Sequence, residues 1–142
     1  MALIRAGYLI FRLCTLDFLK ALKRGKNENI NFIESDISNP KTYSLLTGNY
    51  DCVFHLAAKV GGVKANSEAL GTFYHDNIMI NSNLLESCIK YSIPKVVSVL
   101  STCIYPDAQY VSYPLTEDQL HLGPPHDSNF GYAYAKRMLD VQ

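Results

Sequence analysis

Asp51-Cys-Val-Phe-His-Leu-Ala57 and Lys95-Val-Val-Ser-Val-Leu-Ser101 are the two stretches whose reading decides the fold. Both are nearly continuous apolar runs without polar alternation, the pattern of parallel strands covered on both faces. Between them, residues Ser67 to Tyr91 read as one long helix. Leu70, Phe73, Tyr74, Asn77, Asn81, Leu84, Leu85, Cys88 and Ile89 lie along one broad face, and Pro94 ends the register. Strand, helix and strand make a βαβ unit with a right-handed crossover. The predicted fold is therefore α/β, a doubly wound parallel sheet. Ligands of such sheets bind beyond the C-terminal strand ends, which directs attention to Ala57–Gly62 and Ser101–Tyr105.

Further out, Asn31-Phe-Ile-Glu-Ser35 is a short strand candidate, and Asn39-Pro40 opens a helix to about Leu46. Residues 8 to 23 read as a helix. Leu9, Leu13, Leu16, Phe18, Leu19 and Leu22 give it an apolar face, Lys20, Lys23 and Arg24 complement its C-terminal dipole, and Gly25 stops it. A polar stretch rich in Pro and Tyr runs from Pro106 to Asn129. Asp127, Ser128 or Asn129 can cap a last helix through Gln142.

A chain of 142 residues fits one domain. Thirteen basic residues balance thirteen acidic ones, so no broad positive field exists for nucleic acid or an anionic membrane. Cysteines 14, 52, 88 and 103 form no C-x-x-C pair, and histidines 55, 75, 121 and 126 do not cluster. No metal site is expected, and the thiols read as the reduced cysteines of an intracellular protein. The apolar run Tyr8–Phe11, bracketed by Arg5 and Arg12, is too short for a signal peptide or a membrane span. The cytoplasm is the expected location.

Tyr132-Ala-Tyr-Ala-Lys136 carries the strongest chemical signal. Helical spacing of four puts Tyr132 and Lys136 on one face. An ammonium beside a phenol, near a helix N-terminus, lowers the phenol's pKa. Such a phenol can exchange a proton with a carbonyl oxygen during hydride transfer. The same spacing also occurs on ordinary helix surfaces. In Leu100-Ser-Thr-Cys-Ile-Tyr-Pro106, Ser101 at a strand end can bind the same oxygen or simply cap a turn. Cys103 is either a small buried hydrophobe or a thiol facing substrate as an acid/base group. In His55-Leu-Ala-Ala-Lys-Val-Gly-Gly62, small residues let the backbone approach a flat ligand, or make a tight βα connection. Asn77 and Asn81 either order the strand ends or are polar packing. Asp36 either accepts a hydrogen bond from an adenosine or closes a turn.

HLAAKVGG, the long helix with Asn77, LSTCIYP and GPPHDSNFGYAYAKRMLDVQ together resemble the GDP-L-fucose synthase family of extended short-chain dehydrogenases/reductases, in order and spacing, from about Asp51 to Gln142. The resemblance implies a Rossmann-like sheet and NADP(H) as cofactor. It implies a two-stage reaction on GDP-4-keto-6-deoxy-D-mannose: epimerisation at C3 and C5, then reduction at C4, giving GDP-L-fucose. By carry-over, Tyr132 gives a proton to the C4 oxygen, and Lys136 holds the nicotinamide ribose and tunes Tyr132. Ser101 binds the substrate oxygen, and Cys103 is the base of the epimerisation. Asp36 and Ile37 match positions near the adenosine. Ala57 and Ala58, with the backbone of Val99, Leu100, Ser101 and Thr102, match the wall of the cofactor site. A homodimer through the 67–91 and 129–142 helices is implied as well.

The family's G-x-x-G-x-x-G turn after its first strand has no counterpart here. Before Asp51 the chain has only Gly7, Gly25 and Gly48. The expectation is a partial NAD(P)-binding domain over 1–142, with a divergent N-terminal helix in 1–28 and a family-like core in 29–142. The first strand and phosphate loop are expected to be missing or replaced, and the later strands and sugar-nucleotide domain to lie beyond Gln142. Two other readings are a catalytically dead remnant that binds a partner, and another sugar-nucleotide epimerase or dehydratase. Cys103 argues against the last.

Overall fold

In the computed structural model the described residues are 2–5, 8–11, 30–33, 35–45 and 50–142. They divide into two compact units, Met1–Ala58 with Ser82–Val99, and Lys59–Asn81 with Leu100–Gln142.

The first unit is built on a five-stranded sheet. Its strands are β1 (Ala2–Arg5), β2 (Tyr8–Phe11), β3 (Ile30–Ile33), β4 (Cys52–His55) and β5 (Val96–Ser98), in the order β3-β1-β2-β4-β5. Val53 pairs with Val96 in the parallel β4–β5 ladder. The N–H of Val99 donates to the His55 carbonyl at 3.1 Å, carrying the pairing one residue past β5. The expected strands at 51–57 and 95–101 are thus present in shortened form. The strand expected at 31–35 is β3.

Tyr8–Phe11 is a strand, which corrects the helix read over residues 8 to 23; positions 12–23 lie outside the described residues. Tyr-Leu-Ile-Phe combines aromatic and β-branched residues that suit a pleated ladder. It pairs parallel to β4, with Leu9 opposite Val53. The preceding Ala2–Arg5 is antiparallel to β2 and to β3. The sheet therefore has four strands of one sense and one opposed. β2 stands where a missing strand was expected, beside β4.

Val53 and Cys52 of β4 are buried with Ile37, Tyr43, Leu84 and Cys88 to form this unit's core. The segment before the 3-10 turn Pro40–Leu45 is tied down locally. Tyr43 donates its hydroxyl to the Ile37 carbonyl at 2.9 Å, and Asn83 Nδ2 donates to the Ser38 carbonyl at 2.7 Å. The helix expected from Asn39 is this single 3-10 stretch.

Helices α1 (Val63–Glu68) and α2 (Leu70–Lys90) replace the single helix expected from Ser67 to Tyr91. The break is Ala69, at φ −137° and ψ 41°, whose carbonyl accepts from Phe73 N–H at 3.0 Å to start α2. The buried stripe of α2 is Phe73, Asn77, Ile80, Asn81, Leu84 and Cys88. Leu70, Tyr74 and Ile89, assigned to that face by their hydropathy, are exposed. No described helix is long and apolar enough to cross a membrane.

In the second unit, α3 (Phe130–Val141) meets the start of α2 at very short range. A Cβ at Gly131 would lie 2.1 Å from the Leu70 carbonyl oxygen, so only glycine allows this approach. One turn on, Asn81 Nδ2 donates to the Ala135 carbonyl at 2.9 Å. Ala133 and Ala135 are completely buried. Gly131→Ala should therefore lower the unfolding midpoint in urea by the equivalent of about 1–3 kcal/mol. Gly71→Ala, where a Cβ meets nothing within 4 Å, should be neutral or slightly stabilising. Equal effects at the two sites would show that the close approach is not real.

Burial also sets the first unit's response to alkali. The Cys88 thiol is pushed up to about 11, and the neighbouring Tyr43 phenol is raised as well, in both cases chiefly because burial disfavours the anion. Folded pKa values above the unfolded ones mean stability that is complete below the unfolded thiol pKa, about 9. It is lost as pH rises through about 11. Urea midpoints measured from pH 7 to 11 should be flat to about 9 and then fall. Cys88→Ala should shift the whole curve down but reduce that alkaline slope, and an unchanged slope would remove Cys88 from the effect.

Candidate active site

Ser101 lies just past β5 in an extended conformation (φ −143°, ψ 151°), as N-cap of the 3-10 turn Thr102–Ile104. Its Oγ accepts from the Cys103 N–H at 3.3 Å. The same hydroxyl hydrogen-bonds the phenol of Tyr132, the third residue of α3. The capping reading and the carbonyl-binding reading of Ser101 are therefore compatible: the oxygen caps the turn and also reaches Tyr132.

The turn is held against α3 by Arg137. This buried guanidinium donates from Nε to the Ile104 carbonyl at 2.9 Å, and Nη2 reaches the same oxygen. Nη1 donates to the Gly123 carbonyl at 2.9 Å. Ile104 is buried, which anchors the turn from its other side. Sequence reading gave Arg137 no role, because nothing local distinguishes it from a helix-surface cation.

Ser101, Cys103 and Tyr132 line one cavity of about 210 Å³, together with Val60, Gly61, Asn66 and Asn129. Asn129 was a candidate helix cap. It occupies the cap position of α3 without making a side-chain cap bond, and it borders the cavity instead. Asn66 was not singled out at all. Its carboxamide Nδ2 donates to the carbonyls of Gly61 at 2.8 Å and Gly62 at 3.2 Å, while Oδ1 is buried without a partner. An asparagine four residues after a glycine pair was the only signal available for it.

Electrostatics in the cavity depart from the sequence expectation. The Tyr132 phenol is raised above its ordinary value, first by burial, against which the Ser101 hydrogen bond acts; negative charge at Cys103 raises it further. Lys136 was expected to lower it. Lys136 is itself buried, and its ammonium is pushed down by desolvation. The helix face that carries both residues is covered, so loss of water outweighs the attraction expected of an exposed pair.

Lys136 does not border the 210 Å³ cavity. Leu100 and the exposed Thr102 border a second cavity of about 540 Å³, to which Ser101 also contributes. Asn77 is wholly buried and clamps Lys59: Oδ1 accepts from the Lys59 N–H at 2.9 Å, and Nδ2 donates to the Lys59 carbonyl at 2.9 Å and to Phe73 at 2.7 Å. It thus orders the segment that leads into the cavity wall.

The remaining candidates belong to the first unit. Asp36 is an exposed turn residue whose Oδ1 accepts from the Ser38 hydroxyl at 2.8 Å and the Ser38 N–H at 2.9 Å. These bonds hold its carboxyl below the usual range. Ile37, Ala57 and Ala58 are buried, and Val99 is about half exposed. Among the described residues no cluster of His, Cys, Asp and Glu could hold a metal ion, and Cys52, Cys88 and Cys103 are free thiols.

Comparison with known proteins adds the family. Residues 2–142 match the NAD dependent epimerase/dehydratase family. The chain is 53% identical over 89 residues to a GDP-L-fucose synthase of Dictyostelium discoideum, covering 63% of this chain and 27% of that protein. It is 51% identical over 90 residues to a probable GDP-L-fucose synthase of Drosophila melanogaster, with the same two shares. A crystal structure of a GDP-L-fucose synthetase from Naegleria fowleri bound to NADP superposes with a TM-score of 0.66 at 42% identity, over 75% of this chain and 34% of that one. The chain spans about a quarter of the length of the curated relatives it matches. Its α/β fold is Rossmann-like, and the chain belongs to the NAD dependent epimerase/dehydratase family.

Proposed function

We propose that the chain carries the proton-transfer residues of an NADP-dependent epimerase-reductase converting GDP-4-keto-6-deoxy-D-mannose to GDP-L-fucose. The observation that supports this is the single cavity shared by Ser101, Cys103 and Tyr132, combined with similarity to GDP-L-fucose synthases over the segment that bears them.

In this reading the hydroxyls of Ser101 and Tyr132 hydrogen-bond the C4 ketone oxygen. The ketone makes the protons on C3 and C5 acidic, and the Cys103 thiolate removes one, leaving an enolate whose charge rests on the oxygen held by the two hydroxyls. Reprotonation on the opposite face completes each inversion. In the reduction, Tyr132 gives its proton to the C4 oxygen as that oxygen becomes an alcohol. Negative charge on Cys103 raises Tyr132, so a base at Cys103 keeps the proton on the acid that later needs it.

The residues fit one half of the cofactor better than the other. Lys136, one turn after Tyr132, is assigned to the nicotinamide ribose. The alanines at 57 and 58, the backbone of Val99–Thr102, and Asp36 with Ile37 are assigned to the rest. When bound, NADPH supplies the hydride. No glycine-rich turn for its diphosphate is present among the described residues, and the sequence before Asp51 has none. Pairing of two copies through α2 and α3 belongs to the same reading. An apolar groove bordered by Leu70, Gly71, Tyr74, Phe130, Tyr134 and Met138 supports it.

Two outcomes are expected. In a chimera whose remaining length comes from the Dictyostelium relative, Cys103→Ser should cut solvent-deuterium incorporation at C3 and C5 by about 10²- to 10⁴-fold. It should leave reduction of the already epimerised ketone within about tenfold. Unchanged exchange would end the assignment of Cys103. For the 142-residue chain alone, calorimetric titration with NADPH should give no binding tighter than the millimolar range. Micromolar affinity would mean that its N-terminal segment meets the diphosphate by another arrangement.

A further inference from the structure

Asn66 combines three features that no role assigned so far explains. It is 4% exposed, it lines the cavity of Ser101, Cys103 and Tyr132, and its Oδ1 is buried with no hydrogen-bond partner. The orientation of the carboxamide is determined by its surroundings. Both Nδ2 hydrogens are used on the carbonyls of Gly61 and Gly62. Exchanging the two ends would set an oxygen against two carbonyl oxygens, so the end left over is an acceptor. Buried acceptors in folded proteins nearly always have a donor. Neither of the hydroxyls that line the cavity, those of Ser101 and Tyr132, donates to this oxygen.

We propose that Asn66 is a substrate-recognition residue of this cavity, whose Oδ1 accepts a hydrogen bond from a hydroxyl on the carbon next to the substrate carbonyl. The proposal rests on the reading of Ser101 and Tyr132 as the carbonyl-binding pair and deepens it. It makes the substrate class an α-hydroxy ketone rather than a ketone in general. A sugar bearing a ketone at C4 and a hydroxyl at C3 belongs to that class. The hydroxyl and the carbonyl oxygen would be held at once, from Asn66 on one side and from Ser101 and Tyr132 on the other. That fixes the C3 proton relative to the Cys103 thiol.

The test uses the 142-residue chain and two small reagents, chloroacetone and 1-chloro-3-hydroxyacetone, which differ by one α-hydroxyl. Each alkylates Cys103 by forming a bond from Sγ to the chlorine-bearing carbon. Chloride leaves and the thiol proton goes to solvent. Peptide mass spectrometry reads the rate at Cys103 separately from the other cysteines, and reaction with glutathione corrects for intrinsic reactivity. The hydroxylated reagent should react about tenfold faster at Cys103 after correction, the size of one net hydrogen bond. In Asn66→Leu that preference should vanish while the chloroacetone rate holds. Equal corrected rates in the unaltered chain would overturn the proposal, and this comparison decides by itself if Asn66→Leu does not fold. A preference that survives Asn66→Leu would overturn it too, and would assign the hydroxyl to another group. The parent reading is tested apart: if Ser101→Ala and Tyr132→Phe leave both reagents' rates unchanged, the carbonyl-binding pair is wrong whatever Asn66 does.

Discussion

The guanidinium of Arg137 joins pieces that the chain order keeps far apart. Tyr132 stands on α3, whereas Ser101 and Cys103 stand on a turn some thirty residues earlier, and the loop between them is rich in polar residues and proline. Arg137 donates to the Ile104 carbonyl through Nε and Nη2 and to the Gly123 carbonyl through Nη1. One rigid planar fork therefore fixes the turn, the end of the loop and the helix relative to one another. A lysine carries its three donors on one nitrogen and lacks the rigid planar fork that meets both carbonyls in this geometry. Burial raises the stakes, since the guanidinium remains charged and each of those carbonyls would lose its partner along with it.

The same unit uses side-chain amides where a sheet would use ladder bonds. Asn77 replaces the missing partners of the Lys59 peptide on both its N–H and its carbonyl, and Asn81 fastens α2 to the Ala135 carbonyl. Each amide can donate and accept at once, which explains why asparagines rather than leucines occupy core positions of α2. Gly131 completes the arrangement by letting the helices approach so closely that the Asn81 amide can span the gap.

What the sequence made legible was whatever depends on local periodicity. The two apolar runs read as parallel strands, and β4 and β5 do pair in parallel, β4 mostly buried and β5 half-buried; Tyr132 and Lys136 read as one helix face because spacing of four fixes it. The features it hid depend on distant partners. Tyr8–Phe11 satisfies helical and strand patterns alike over four residues, and only the ladder to β4 decides. Ala69 carries no breaker signal, yet α2 starts there. Ile89 is apolar but points outward, because a hydropathy face cannot say where its neighbour lies. Asn66 and Arg137 are ordinary polar letters until the carbonyls they serve are known.

The pKa of Tyr132 shows how far such hidden terms can reverse a local inference. From spacing alone, a lysine four residues on and a helix N-terminus nearby both favour the phenolate. In the folded chain the helix face is covered, so the phenol and the lysine each shift towards their neutral form. A neutral phenol is the useful form for protonating an oxygen. Burial on the helix face therefore biases both groups towards their neutral forms, and at Tyr132 the Ser101 hydroxyl and the Cys103 thiol modify that bias in opposite directions. The hydroxyl lowers the phenol and negative charge at the thiol raises it, so that charge on one side of the cavity keeps the proton on Tyr132 at the other.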